Sequence, residues 1–351
     1  MRCRFDGDRE CLSAAVSSVV SRNLLLIAGF FSLVASVLYW QWARVERGDL
    51  HTLTETGSCA GCNLRGVNLS GLNLEGADLR RADLSNANLS STRLVRADLW
   101  QANLNGATLD SVDLTGANLR GLDLRGRNLR KANLTDANLE GANLHNADLK
   151  AAVLSNANLS GANLNKASLE LAILLDANLD QANLWNANLA DANLSSSKLV
   201  EVNLVRANLA GADLVNASLN GSNLSWARLT DTDLTNVNLT AAILFSSDLS
   251  GSMVERKTLD LAFVCHTIMP DGVESKCDLS NSDLTGSYLY KADLRGANLE
   301  DADLTDVYLS RADLTDANLR GAHLAGSLLK DVVFCNTTMP DGSTNNSGCT
   351  R

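Results

Sequence analysis

Residues 132–149 read ANLTDANLEGANLHNADL, and this five-residue pattern of a small residue, Asn or Asp, and Leu runs through most of the chain. Leucine occupies every fifth position from Leu64 to Leu249, 38 times without a miss. Two residues before each leucine the side chain is small, most often alanine. After an interruption the same phase resumes at Leu279 and continues to Phe334.

A period of five excludes both ordinary backbone structures. On an α-helix five residues advance about 500°, so successive leucines would spread over every side of the helix. On a flat strand five is an odd number, so consecutive leucines would point to opposite faces. If the chain turns a corner once every five residues, however, every leucine and every small residue can point inward. The pattern therefore predicts a solenoid.

The A-(D/N)-L-x-x pattern resembles that of the pentapeptide repeat proteins from residue 62 to 334. The resemblance implies an all-β solenoid, a right-handed quadrilateral β-helix with about 20 residues per coil. On that geometry the repeats would make a rod of about 13 coils and about 60 Å. Arg127 and Lys257 fall at inward positions, where we expect local bulging or outward snorkelling of the side chain.

An apolar segment precedes the repeats. Leu24 to Trp42 carries no charge, and at about 1.5 Å per residue it is long enough to cross a hydrocarbon layer as a single transmembrane helix. Tyr39 and Trp40 fit interfacial positions. A cleaved signal peptide is the alternative, because Arg22 followed by an apolar run also fits that pattern. The excess of Arg before the run predicts a cytoplasmic N-terminus and a repeat domain in the periplasm or thylakoid lumen.

These patterns divide the chain into seven segments. They are an N-terminal tail (1–22), the transmembrane helix (23–43), a linker and solenoid start (44–61), repeat block 1 (62–264), a Cys-bounded loop (265–278), repeat block 2 (279–334) and a C-terminal Cys-bounded loop (335–351).

A duplicated loop carries four of the eight cysteines. The motif Cys-x-Thr-x-Met-Pro-Asp-Gly begins at Cys265 and again at Cys335, and a second cysteine follows each copy, at Cys277 and Cys349. Pro-Asp-Gly is turn chemistry that folds the chain back on itself. We therefore expect Cys265 to pair with Cys277 and Cys335 with Cys349, as suits an exported protein. Metal binding by two Cys and an Asp is the alternative.

The other four cysteines carry weaker signals. Cys59 and Cys62 have the spacing of a redox motif but lack the βαβ context that such a motif needs. They are interpreted as two small apolar residues at the start of the core, or as a local disulfide. Cys3 and Cys11 lie in the predicted tail as free thiols or lipidation sites.

One side of the expected β-helix carries large apolar residues in its outward positions. Trp185, Val205 and Phe245 are in register at multiples of 20 residues, and Trp226 lies beside them. Adjacent exposed apolar groups are associated with interfaces, and Trp is favoured at their centres. This stripe is the candidate site for self-association or for an unidentified protein partner. The alternative is that the chain covers it, for example with the loop between Cys265 and Cys277.

Composition excludes several classes of function. Aromatic residues make up 4% of the chain and there are only 4 His, so no catalytic, metal or cofactor site is expected. The formal net charge of -10 argues against nucleic-acid binding. We expect a non-catalytic, membrane-anchored scaffold for protein interaction. The family resemblance implies an alternative, an acidic rod that mimics DNA and binds DNA gyrase or another nucleic-acid-binding protein.

Overall fold

The computed structural model describes residues 48–349. Its repeating element is a short stretch of extended chain that ends in a tight turn every five residues. In one such turn the Ala77 amide donates to the Leu74 carbonyl at 3.1 Å. Successive coils pair in parallel with a register of 20 residues, as Ser58 does with Asp78. Four turns per coil make a four-sided solenoid, as the resemblance to the repeat family implies.

Each turn places one residue at positive φ. Gly76 (φ 68°) and Asn86 (φ 59°) show why Gly, Asn and Asp are frequent at this position, since a type II turn requires that conformation. Trp226 occupies the same turn position at φ 63°. The turns impose this uncommon conformation on other long side chains too, such as Leu171 (φ 60°) and Arg206 (φ 61°).

The inward positions form a narrow core. Leu134 and Ala132 are completely buried, and each fully buried leucine contributes about 1.5–3 kcal/mol. Where Thr92 replaces alanine, its hydroxyl donates to the Leu69 carbonyl of the preceding coil at 2.9 Å. A polar inward side chain is therefore satisfied by the backbone.

The predicted exceptions, Arg127 and Lys257, both keep their charges outside the core. The Arg127 guanidinium donates to the Arg125 carbonyl at 3.2 Å. Lys257 lies in a single helical turn (Arg256–Leu259), which replaces the extended chain there. Its side chain is exposed and its Nζ lies 2.6 Å from Glu255 Oε2.

Non-repetitive elements lie at both ends of the described chain. Helix α1 spans 48–56, inside the segment predicted as linker (44–61), and its Leu53 is buried in the core of block 1. At the other end, β1 (Thr337–Thr338) and β2 (Thr344–Asn345) form a short antiparallel pair. The last coil of block 2 thus ends in a hairpin.

The predicted transmembrane span, Leu24 to Trp42, lies outside the described residues, as do the tail and its two cysteines. Within residues 48–349, none of the helices is both long and apolar enough to span a bilayer.

The two repeat blocks are not one continuous rod. The parallel ladder of block 1 ends with the pair Asp248 and Ile268, and the ladder of block 2 begins with Asp278 and Asn298. The leucines of the two blocks form separate cores. The expectation of one rod of about 60 Å was therefore wrong. The five-residue spacing of the leucines continues across the break because it depends only on which side chains point inward. It carries no information about which coils pair.

Candidate functional site

The break between the blocks is filled by side chains of block 1. Ile243 and Phe245 point outward from their own coil, yet they are 5% and 0% exposed because they pack in the core of block 2. There they join the leucines of its first coil, including Leu279 and Leu284. The open end of a solenoid would otherwise leave these leucines in water. Phe245 thus closes the first coil of block 2.

This arrangement corrects the predicted interaction stripe. Trp185 and Val205 are half-buried and Trp226 is 43% exposed. Phe245, in contrast, contacts the chain's own second block and is not available to a partner. The alternative in which the chain covers the stripe therefore holds for this one member. The covering element is block 2, which sequence periodicity could not place.

A disulfide joins Cys265 to Cys277 at the same junction. The turn between them is closed by the Gly272 amide, which donates to the Met269 carbonyl at 2.8 Å. The Cys265 sulfur also lies 3.6 Å from the Asp293 carbonyl of block 2. The loop thus connects the end of block 1 to the first coil of block 2.

Two further disulfides lie at the ends of the solenoid. Cys335 and Cys349 are bonded across the C-terminal hairpin, with their Cα atoms 4.7 Å apart. Cys59 and Cys62 are bonded at the start of block 1. Of the two interpretations of Cys59 and Cys62, the structure therefore has the local disulfide.

An open groove of about 430 Å³ lies beside the junction. Block 1 contributes Trp185, Val205 and Trp226, and block 2 contributes Tyr288 and Tyr290. This volume falls within the range of ligand pockets in proteins, roughly 300–1,000 Å³. Three of the four stripe residues thus line one concave surface. We call it the aromatic groove.

The tyrosines of block 2 were not identified from the sequence. The rings of Tyr288 and Tyr308 stack with centroids 4.9 Å apart and planes at 6°. Tyr290 lies against both, with its centroid 5.8 Å from that of Tyr308. Tyr288 and Tyr308 are 20 residues apart, so the register of the β-helix could have shown that they are neighbours on adjacent coils.

The aromatic groove carries positive charge on an acidic protein. Arg206 and Lys291 line it, and its lining includes neither Asp nor Glu. Lys291 Nζ lies 5.3 Å from the Tyr290 ring centroid, and Lys166 Nζ lies 5.6 Å from that of Trp185. These distances are those of cation–π contacts.

A second groove of about 470 Å³ lies on the other side of the contact between the blocks. The two are separated where Asn223 Nδ2 donates to the Tyr288 carbonyl at 2.9 Å. The second groove is lined by Glu201 and Asp283, without Lys or Arg. Hydrogen bonds from Thr285 lower the pKa of Asp283, which keeps it ionised. We call this surface the acidic groove.

A histidine links the disulfide loop to block 2. His266 Nδ1 lies 2.8 Å from the Glu274 carboxylate, and Nε2 lies 2.9 Å from the Arg295 carbonyl. Both partners are acceptors, so only the doubly protonated ring donates to both. Burial opposes that charge, but the Glu274 and Arg295 hydrogen bonds and the Asp293 carboxylate outweigh it and raise the pKa of His266 above 6.5.

The rows of Asn and Asp before the leucines have a structural role. The Asn163 carboxamide oxygen accepts from the amide two residues later, at 3.2 Å, and such bonds recur along the solenoid. Asn163 Nδ2 also donates to Asn143 on the preceding coil at 3.2 Å. Among residues 48–349, no three His, Cys, Asp or Glu side chains are grouped to hold a metal ion.

Comparisons with known proteins agree with this repeat. The model of the family described as pentapeptide repeats matches in eight copies, which together span 58–256 and 275–341. No curated protein matches the chain significantly.

Several solved structures are also similar to this chain. HetL, a pentapeptide repeat protein involved in heterocyst differentiation regulation in the cyanobacterium Nostoc, is 27% identical over 84% of this chain and 96% of its own, with a TM-score of 0.37. QnrB1, a plasmid-mediated fluoroquinolone resistance protein, is 17% identical over 57% of this chain and 92% of its own, with a TM-score of 0.39. The family-model match covers well over half of the sequence. The chain therefore belongs to the pentapeptide repeat family, whose fold is the right-handed four-sided β-helix.

Proposed function

We propose that this chain is a non-catalytic, membrane-anchored scaffold that holds a protein partner in the aromatic groove. The observation that carries the proposal is the groove itself, in which Trp185 and Trp226 share one concave surface with Tyr288 and Tyr290. Trp and Tyr contribute most of the binding energy in many protein interfaces. Their collection at one place, in a chain with 4% aromatic residues, supports a binding surface.

The chemistry of the groove supports a binding role over a catalytic one. Its lining contains no carboxylate and no His, which are the usual groups for proton transfer. The Asn and Asp rows along the solenoid are engaged in backbone and inter-coil hydrogen bonds. The residues that remain available in the groove are aromatic rings and cations, which are typical of recognition.

The anchoring part of the proposal rests on the uncharged run from Leu24 to Trp42. The Arg excess before that run supports a repeat domain on the non-cytoplasmic side. Disulfides at Cys265–Cys277 and Cys335–Cys349 suit the same compartment, because they persist in oxidising surroundings. A partner in the groove would then be held close to the membrane.

DNA mimicry is the second candidate, and the net charge of -10 favours it. The distribution of charge weakens it, because cations along block 1 form ion pairs that interrupt the negative surface. Examples are Arg120 with Glu140 at 2.9 Å and Lys150 with Glu170 at 2.6 Å. The break between the blocks also shortens the uninterrupted rod.

Site-specific photo-crosslinking in cells tests the proposal. A photoreactive amino acid replaces Trp226 in the full-length chain, and the control places it at Leu175, which is 39% exposed on another side of block 1. We expect a protein adduct from position 226 and none from 175. An adduct with a second copy of the chain would identify self-association, and one with gyrase would favour mimicry. Equal adducts from both positions, or none from 226, would contradict the proposal.

A further inference from the structure

We propose that the aromatic groove recognises an acidic, proline-rich peptide segment in the polyproline II conformation. This inference rests on the proposed function and names the chemistry of the partner. Proline-rich segments dock in grooves lined by aromatic rings, because the extended helix is preformed and loses little entropy on binding. The aromatic groove offers such rings from Trp185, Trp226, Tyr288 and Tyr290.

The polar groups of the groove are mostly hydrogen-bond donors, which favours a ligand rich in hydrogen-bond acceptors. Its side chains supply indole N–H groups, phenol hydroxyls, the Arg206 guanidinium and the Lys291 ammonium, and nearly all of these groups donate. Asn203 and Asn223, which could accept, use their carboxamide oxygens for the amides of Val205 and Ser225. A proline-rich strand presents backbone carbonyls and few N–H groups, so its hydrogen-bonding capacity is complementary.

The charge of the groove selects an acidic segment. Arg206 and Lys291 are exposed cations in its lining, and no carboxylate of that lining neutralises them. The acidic groove, across the Asn223–Tyr288 contact, has the opposite charge. A strand with Glu or Asp between its prolines would gain ion pairs in the aromatic groove, whereas a basic strand would be repelled there.

Titration with defined peptides tests the inference. The purified full-length chain, kept in detergent, is titrated with a blocked peptide of four Pro-Pro-Glu repeats, and tryptophan fluorescence and calorimetry report binding. Two comparison peptides replace Glu by Lys, or Pro-Pro by Gly-Ser. We expect the acidic proline peptide to bind about tenfold or more tightly than either, with an affinity that falls as salt is raised. Equal affinity for the Lys peptide or the Gly-Ser peptide would overturn the inference.

Variants locate the binding. Trp226→Asn removes one wall of the groove and suits the positive φ, so we expect the fold to be kept and the affinity to fall about tenfold or more. Arg206→Gln should weaken binding severalfold and reduce its salt dependence. Glu201→Gln, in the acidic groove, is the matched control and should leave the affinity unchanged. An affinity unaffected by Trp226→Asn would show that the peptide binds elsewhere and would overturn the assignment.

The two proposals fail in different ways. If photo-crosslinking at position 226 gives a specific adduct but none of the three peptides binds, the groove is an interaction site and the acidic proline-rich class is wrong. If the acidic proline peptide binds in a Trp226-dependent manner and no adduct forms in cells, the recognition chemistry holds and the proposed scaffold function fails.

Discussion

Replacing Phe245 by Ala should open block 2 selectively. The side chain is 0% exposed and closes the first coil of block 2, so its loss removes apolar burial and leaves a cavity. Such substitutions cost about 3–5 kcal/mol. Because solenoid coils are stabilised mainly by their neighbours, the cost should fall on the first coil of block 2 and not on distant coils of block 1.

Hydrogen exchange with mass spectrometry measures this effect segment by segment. A loss of about 3 kcal/mol or more corresponds to exchange roughly 100-fold faster in residues 279–300, if local opening governs exchange. Residues 62–200 should change little. Leu175→Ala is the matched control, since Leu175 has the same place in its repeat but is 39% exposed, and we expect about 0.5 kcal/mol or less. If exchange in 279–300 stays within about twofold of the native protein, Phe245 does not close block 2 and the reasoning fails.

Three further predictions concern the junction and the membrane. Changing both Cys265 and Cys277 to Ala should destabilise the junction by roughly 3 kcal/mol in the chain-entropy model, measured as a lower urea midpoint, and an unchanged midpoint would refute it. Because the pKa of His266 is raised in the folded protein, its protonation stabilises the fold fully below about pH 6.5, and this stabilisation is lost as the pH rises through the folded pKa. Thermal melts between about pH 5 and 8 should therefore show a melting temperature that falls with rising pH in the native chain, and this fall should be absent in His266→Gln. In spheroplasts, protease added from outside should digest the repeat domain, and a domain that is degraded only after the membrane is broken would reverse the predicted topology.

The repetitive part of the fold was predictable because its information is local. A leucine every fifth residue requires a corner in every repeat, and the inward burial of Leu134 and Ala132 follows directly. The turn chemistry around Pro-Asp-Gly likewise indicated which cysteines the structure brings together. Helix α1 was not foreseen, since residues 48–56 carry no repeat, and its contacts with the core through Leu53 and Leu50 depend on tertiary packing.

The candidate site was only partly predictable, because it depends on how two blocks meet. Outward positions 20 residues apart identified Trp185, Val205 and Phe245 as one stripe. The period could not show that block 2 would cover Phe245 and contribute Tyr288 to the same surface. The contact between the blocks depends on tertiary packing, and a five-residue pattern contains no information about it.

Helix α1 and the C-terminal hairpin have a consequence for assembly. Any β-helix ends in a coil whose N–H and C=O groups point along the helix axis without a further coil to pair with. Such an edge can template the addition of another chain. In this protein Leu53 of α1 packs over the first coil, and the Gly348 amide donates to the Phe334 carbonyl at 2.8 Å beside the last one. End-to-end growth into fibres is therefore opposed at both termini of the described chain. Any contact between copies would therefore have to form on the sides, where the rows of Asn already bond to one another and the aromatic groove remains open.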